Sequence, residues 1–315
     1  MLTIPTGQLY GANVPAVLPS VARLPAEPGV YRFRDEKGRP LYIGRAGDLR
    51  RRVRSYWGVL RGRRHLVRMV SQIASVEAVV CQSEHEAAWL ERNLLEHRLP
   101  RWNRVRGGME VPVWLRLDEG RTSASVRVVH EPEGRCFGPY LGGLKVRLAA
   151  SALHRALSLA YAGDRLGGSD ADMARARGVA PADRADLVRT TVAVLGRDPR
   201  ACSLVRDELV RRRDHVAGLL LFEQAARIQA ELEALDWVTA PQRVCYTGDP
   251  SDVDIHGYAD GVLVSFEIRD GRMRAWSQRA GTLDAASLKV AATPAGWADF
   301  ARRNAELAAT LHRPM

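Results

Sequence analysis

Gly29-Val30-Tyr31-Arg32-Phe33-Arg34, then Asp35-Glu36-Lys37-Gly38-Arg39-Pro40, then Leu41-Tyr42-Ile43-Gly44 is the stretch that decides the fold. The first six residues alternate as a half-buried strand does, the next six are turn formers, and the last four read as a second short strand. Together they predict a β-hairpin with a tyrosine on each strand. Glycines at 29 and 44 let the backbone pass close to a ligand or a neighbouring element. Two hairpin tyrosines alone are equally what cross-strand packing produces.

Working outward, Asp48 is placed to cap a helix from Leu49 to about Trp57, and a second helical stretch covers roughly His65 to Ala74. An apolar strand, Val76 to Cys81, follows. Ser83-Glu84-His85-Glu86 is a capping box that opens a helix ending before Pro100. The order β-β-α-α-β-α predicts a small α+β domain over 21–106, a mixed β-sheet flanked by helices, behind a flexible arm at 1–20. Arg52 and Tyr56, four apart, share a helix face, with Arg45 just ahead of that helix. Glu91 falls on the apolar side of its helix with Ala87, Leu94 and Leu95. A carboxylate there needs a cationic partner, either an arginine or a metal ion.

The charge balance points to a polyanion. There are 47 Lys+Arg against 36 Asp+Glu, a net +11, and the pI is near 10.1. From Arg32 to Arg68 there are 13 basic residues against three acids, so nearly all the excess surrounds the hairpin. Arg50, Arg51, Arg54, Arg63 and Arg64, with Arg45, are the expected phosphate grip. A membrane surface fits poorly, because these charges surround a structured motif and not an amphipathic anchor. Cys81, Cys136, Cys202 and Cys245 lack metal-ligand or disulfide spacing. Residues 1–20 lack a signal-peptide pattern and no apolar run is long enough to span a bilayer, so a cytoplasmic location is expected.

Beyond the hairpin domain, Val111 to His130 predicts a second hairpin, Phe137-Gly138-Pro139-Tyr140 a turn, and a helix then runs to about Leu159 within a connecting segment, 107–160. Residues 161–183 carry little periodicity and read as a loop, in a linker-and-helix region of 161–200. A helical hairpin is expected over 201–240. Strands split by Asp260-Gly261 and Asp270-Gly271 predict a small β meander, closed by a C-terminal helix, over 241–315.

Tyr31, Tyr42, Arg45, Arg52, Tyr56, Glu91 and Asn103 make up the pattern of the GIY-YIG nuclease superfamily. The stretch from Pro28 to Asn103 resembles the first domain of the UvrC family. Phe137-Gly138-Pro139-Tyr140 is similar to a segment following that domain, and Leu221 to Ile228 is similar to the UVR motif. The chain stops at Met315, which resembles the short, Cho-like form without RNase H-like and helix-hairpin-helix domains. Val30 and Arg45 depart from the usual Ile and Lys. An arginine cannot serve as a base. Cys202 alone stands where the family carries a cysteine cluster, so no iron–sulfur centre is expected.

The resemblance implies a metal-dependent DNA endonuclease making the 3′-side incision of nucleotide excision repair. Its substrate is damaged duplex DNA loaded by UvrB, met through Phe222, Glu223, Ala226 and Arg227. Glu91 would hold one Mg²⁺ or Mn²⁺, Arg45 and Arg52 would neutralise phosphate oxygens, and Tyr42 or Tyr31 would take the proton of the attacking water. Tyr56 and Asn103 would position these groups. The alternatives are a GIY-YIG nuclease outside excision repair and an inactive adaptor that binds DNA or UvrB.

Overall fold

A computed structural model describes residues 17–58, 64–108, 110–120, 124–241 and 252–313. Two compact units emerge: Met1–Met109 together with Gln242–Met315, and Glu110–Pro241.

The first unit opens with a short helix α1 (Leu18–Ala22), then β1 (Gly29–Arg34) and β2 (Pro40–Ala46). Helix α2 (Leu49–Arg54) begins at Asp48, whose carboxylate accepts from the Arg51 amide at 2.8 Å. The chain tightens into a 3₁₀ turn at Ser55–Trp57, so the expected helix ends in a different winding. Helix α3 (Arg64–Val70) and strand β3 (Ser75–Val80) follow. Helix α4 (Glu84–His97) starts where the capping box predicts, with Ser83 Oγ accepting from the Glu86 amide at 3.0 Å.

The sheet order is β2-β1-β3, and both pairings are antiparallel, where the sequence led us to expect a mixed sheet. The two helices between β2 and β3 carry the chain across β1, so β3 pairs with the central strand and not with β2. Opposed residues lie on the same face. The register pairs Tyr31 with Gly44 and Phe33 with Tyr42 on one face, and Val30 with Arg45 and Arg32 with Ile43 on the other. The tyrosine face carries the core of Leu49, Val53, Tyr56, Met69 and Ile73.

Residues 252–313 belong to this unit. Strands β4 (Pro112–Glu119), β5 (Ala124–Val129) and β6 (Cys136–Leu141) come earlier in the chain, in the second unit; β7 (Val253–Ala259), β8 (Val262–Arg269) and β9 (Arg272–Ala280) form the expected meander. Its two turns have positive φ at both central residues, 41° and 81° at Asp260-Gly261 and 52° and 67° at Asp270-Gly271, as the Asp-Gly pairs require. β9 packs on α4, and Arg32 lies under Trp276 with its guanidinium carbon 3.9 Å from the ring centroid. The final helix covers Ala295–His312, and its Asn304 accepts from the Val80 amide at 2.7 Å along β3. A further helix, Leu283–Ala291, lies between and was not foreseen.

In the second unit the sheet order is β5-β4-β6. Phe137-Gly138-Pro139-Tyr140 is part of strand β6 and not a turn: Gly138 takes φ 133°, and a Cβ there would come within 3.1 Å of Trp114 and Tyr140. Glycine lets the strand continue through a conformation other residues avoid. Helices α5 (Gly143–Leu157), α6 (Gly168–Ala176), α7 (Arg184–Leu195), α8 (Pro199–Gly218) and α9 (Phe222–Thr239) follow. The expected loop at 161–183 therefore contains α6. It buries only Ala174, which is why no apolar periodicity betrayed it. In chain order the two helices after β9 are α10 (Leu283–Ala291) and α11 (Ala295–His312).

Candidate active site

Three phenols gather on the tyrosine face. The Tyr31, Tyr42 and Tyr56 ring centroids lie 6.0–6.2 Å apart, and the Tyr31 and Tyr56 hydroxyls are 2.7 Å from each other. Gly44 makes room for this. A Cβ there would stand 2.5 Å from the Tyr31 hydroxyl, so the second signature glycine is the floor on which that phenol rests. Gly29 does the same for the backbone, since a Cβ would meet the Val79 carbonyl at 2.3 Å. Phe33, which carried no role in the sequence reading, fills the space beside them, 5.1 Å from Tyr56 and 5.2 Å from Tyr31.

Arg52 lies against this cluster, its guanidinium carbon 5.4 Å from the Tyr56 ring centroid. Burial pulls its pKa down, but Tyr31 and Tyr56 outweigh that and leave it above the ordinary arginine value. The phenols shift away from ionisation. Burial, reinforced by the neighbouring phenols, pushes both Tyr31 and Tyr42 up, and Arg52 opposes this without prevailing. Glu91 adds to the effect on Tyr42. Both shifts favour the neutral phenol over the phenolate.

Arg45 is next to Gly44 in sequence, hence on the opposite sheet face from Tyr42 and Tyr31. It turns instead to Glu91 on α4, with Nε 3.5 Å from Oε2. That is longer than the ~2.7–2.9 Å of a tight charge-assisted hydrogen bond. β2 is the outer strand of the sheet, so Glu91 stands at its rim, near Tyr42 and Arg45 together.

Asn103 bonds to the backbone of β2. Its amide nitrogen donates to the Ile43 carbonyl at 2.8 Å and its oxygen accepts from the Ile43 amide at 2.9 Å. It extends the sheet beyond β2 as a strand would, assisted by the Trp102 amide donating to Leu41 at 3.0 Å. Asn103 thus fixes the strand bearing Tyr42.

Of the expected grip residues, Arg51 and Arg54 are exposed on α2. Arg50 is exposed too, but its Nε donates to the Leu24 carbonyl at 2.6 Å and ties α2 to the preceding segment. Arg63 lies outside the described residues, as does the Arg64 side chain. Cys245 also lies outside them. In the second unit Phe222, Glu223, Ala226 and Arg227 are all exposed at the start of α9. No cluster of three or more metal-ligating side chains exists among the described residues. Any metal here would be held by Glu91 and by non-protein ligands.

Residues 27–104 match the model of the UvrC-like GIY-YIG domain. The UvrABC system protein C of Mycobacterium sp. (strain KMS) is 34% identical over 280 residues, 81% of this chain. That of Anaeromyxobacter sp. (strain Fw109-5) is 32% identical over 274 residues. The chain belongs to the UvrC-type GIY-YIG family. It spans about two fifths of the length of these curated UvrC relatives, 40% and 38% respectively. The magnesium-bound N-terminal endonuclease domain of UvrC from Thermotoga maritima is 35% identical. The match covers 27% of this chain and 92% of that one, with a TM-score of 0.25. No helix among the described residues is long and apolar enough to cross a membrane.

Proposed function

We propose that this UvrC-type chain is a metal-dependent DNA endonuclease, making the 3′-side incision of nucleotide excision repair on damaged duplex loaded by UvrB. The observation that carries the reading is the meeting of Tyr42, the Arg45–Glu91 pair and the Arg52–Tyr31–Tyr56 cluster at the rim of β2.

The donor set suits a hard divalent ion. Magnesium keeps most of its waters and is held by one or two carboxylates plus substrate phosphate, so a single Glu91 with a loose arginine partner is sufficient. When bound, the ion supplies Lewis acidity at the phosphate and stabilises the leaving oxygen. Arg45 then turns from Glu91 toward a non-bridging oxygen, and Arg52 offers a second planar fork of donors. Tyr42, a neutral phenol, donates a hydrogen bond and orients the attacking water. Tyr31 and Tyr56 hold each other and Arg52 in place. Arg51 and Arg54, exposed on the same helix α2 as Arg52, serve as further phosphate contacts.

Partner recognition rests on the other unit. Leu219, Leu220, Leu221 and Phe222 form an apolar tip between α8 and α9, 48–72% exposed, where the segment similar to the UVR motif begins. The tip leads into Phe222, Glu223, Ala226 and Arg227, the expected UvrB contact, all exposed at the start of α9.

Nicking of supercoiled plasmid in Mg²⁺ or Mn²⁺ tests the active site. Glu91→Ala should lose activity by about 100-fold or more, since Lewis-acid stabilisation amounts to several kcal/mol at 1.36 kcal/mol per decade. Undiminished nicking by that variant removes Glu91 from the reaction. End-labelled, lesion-bearing duplex with the damage-loading proteins should then give a single cut on the 3′ side; paired cuts from this chain alone would contradict the assignment.

A further inference from the structure

Within the first unit β9 packs across α4 and brings a second set of cations to the endonuclease domain. A cleft of about 290 Å³ opens there, lined by Asn93, Glu96 and His97 of α4, Arg106 of the following loop, and Arg272 and Arg274 of β9. Glu96 is its one carboxylate, and it is already met by Arg92 Nε at 2.9 Å and by Arg272 Nη1 at 3.6 Å. Arg274 is itself paired with Asp270, yet Arg92, Arg106, Arg272 and Arg274 still outnumber Glu96 and Asp270, so a positive excess remains. Its geometry is anchored. Arg32 is sandwiched between the Trp276 ring and the buried Glu77 carboxylate, and donates to the Trp276 carbonyl at 3.2 Å.

The cleft also ends a longer basic run. Arg98, Arg101, Arg104 and Arg106 are all exposed, and no acid falls between Leu99 and Gly108. The middle of the run is held against β2 by the Trp102–Leu41 and Asn103–Ile43 hydrogen bonds. Cations repeated along a path suit a polyanion better than one small ion.

We propose that Arg106, Arg272 and Arg274 form a second phosphate-binding surface that grips the DNA backbone away from the cut. The proposal rests on the endonuclease reading and extends it to where the substrate is held. Asn93 and Glu91 are two residues apart and so on nearly opposite flanks of α4. A helix is ~10–12 Å across, which is about three nucleotides of one strand at ~3.4 Å each. The α2 arginines and this cleft would then hold the duplex at two separated places.

The test is binding of a labelled duplex across a salt series by the full chain, wild type against Arg272→Ala/Arg274→Ala, with metal omitted. Two lost phosphate contacts should lower the slope of log K against log[salt] by about 1.8. Arg272→Lys/Arg274→Lys should restore it, because lysine keeps the charge. Thermal melting of each variant checks folding, and cleavage at saturating DNA should persist because the site around Glu91 is unaltered. An alanine variant with the wild-type slope overturns the proposal and leaves the endonuclease reading standing. Wild type that neither binds nor nicks DNA overturns both. Inorganic phosphate held by wild type and lost in the alanine variant, with the duplex slope unchanged, overturns it in favour of a small-anion site.

Discussion

Tyr31 and Tyr42 are tyrosines whose protons are hard to remove, because both lie among other phenols and out of water. The unfolded chain would release these protons first, near the ordinary phenol value of about 10. Stability contributed by the cluster is therefore intact below about pH 10 and declines as pH rises toward the higher folded values. Urea melts between about pH 8 and pH 11 should show a decline that Tyr31→Phe/Tyr42→Phe reduces; parallel curves for the two proteins would mean the phenols are not buried as described. Raised in this way, the tyrosines favour the neutral form, which can donate a hydrogen bond. The candidate residues at this site were legible through the resemblance to the GIY-YIG pattern. Their ionisation was not, because it depends on which neighbours exclude water.

Among the elements, α4 matters most, for it carries Glu91 and is packed by β9 as well as facing β1 and β2. Its start is set by Ser83, which accepts from the Glu86 amide, while Glu86 turns back to the Gln82 amide. Ser83→Ala should cost about 1 kcal/mol in denaturant unfolding, with Asp restoring most of it; no loss would show that packing alone fixes the helix end. Capping signals of this kind are local, so the sequence reading found them at Asp48 and Ser83. The sheet's antiparallel order was missed because strand order depends on where a crossover lands. The strand at Cys136–Leu141 was missed because Gly-Pro reads as a turn wherever a glycine with positive φ is not known to sit inside a strand.

At the scale of the whole chain, the first unit is closed by residues more than 140 positions away from it. Trp276 covers Arg32, whose pKa burial lowers to about 10 against the pull of Glu77. Removing the indole would leave the Arg32–Glu77 pair beneath a cavity. Trp276→Ala is accordingly expected to destabilise the unit by about 3–5 kcal/mol, the usual range for deleting a buried aromatic side chain. Trp276→Phe should lose less, because a ring still lies over the guanidinium. Equal losses for both variants in equilibrium unfolding would show that the cation–ring contact contributes nothing.

The hairpin, the helix caps and the two Asp-Gly turns were determined by the chain's local chemistry, and the candidate site residues were named by resemblance to a known pattern. Each depends on neighbours within a few residues or on a motif read in order. What only the tertiary structure decided was where those groups face. Arg45 went to the far side of the sheet, Asn103 bonded to the Ile43 backbone, and a distant strand delivered Arg272 and Arg274 to α4. Side-chain direction follows from strand register and from contacts between remote segments, and neither is written in the spacing of residues along the chain.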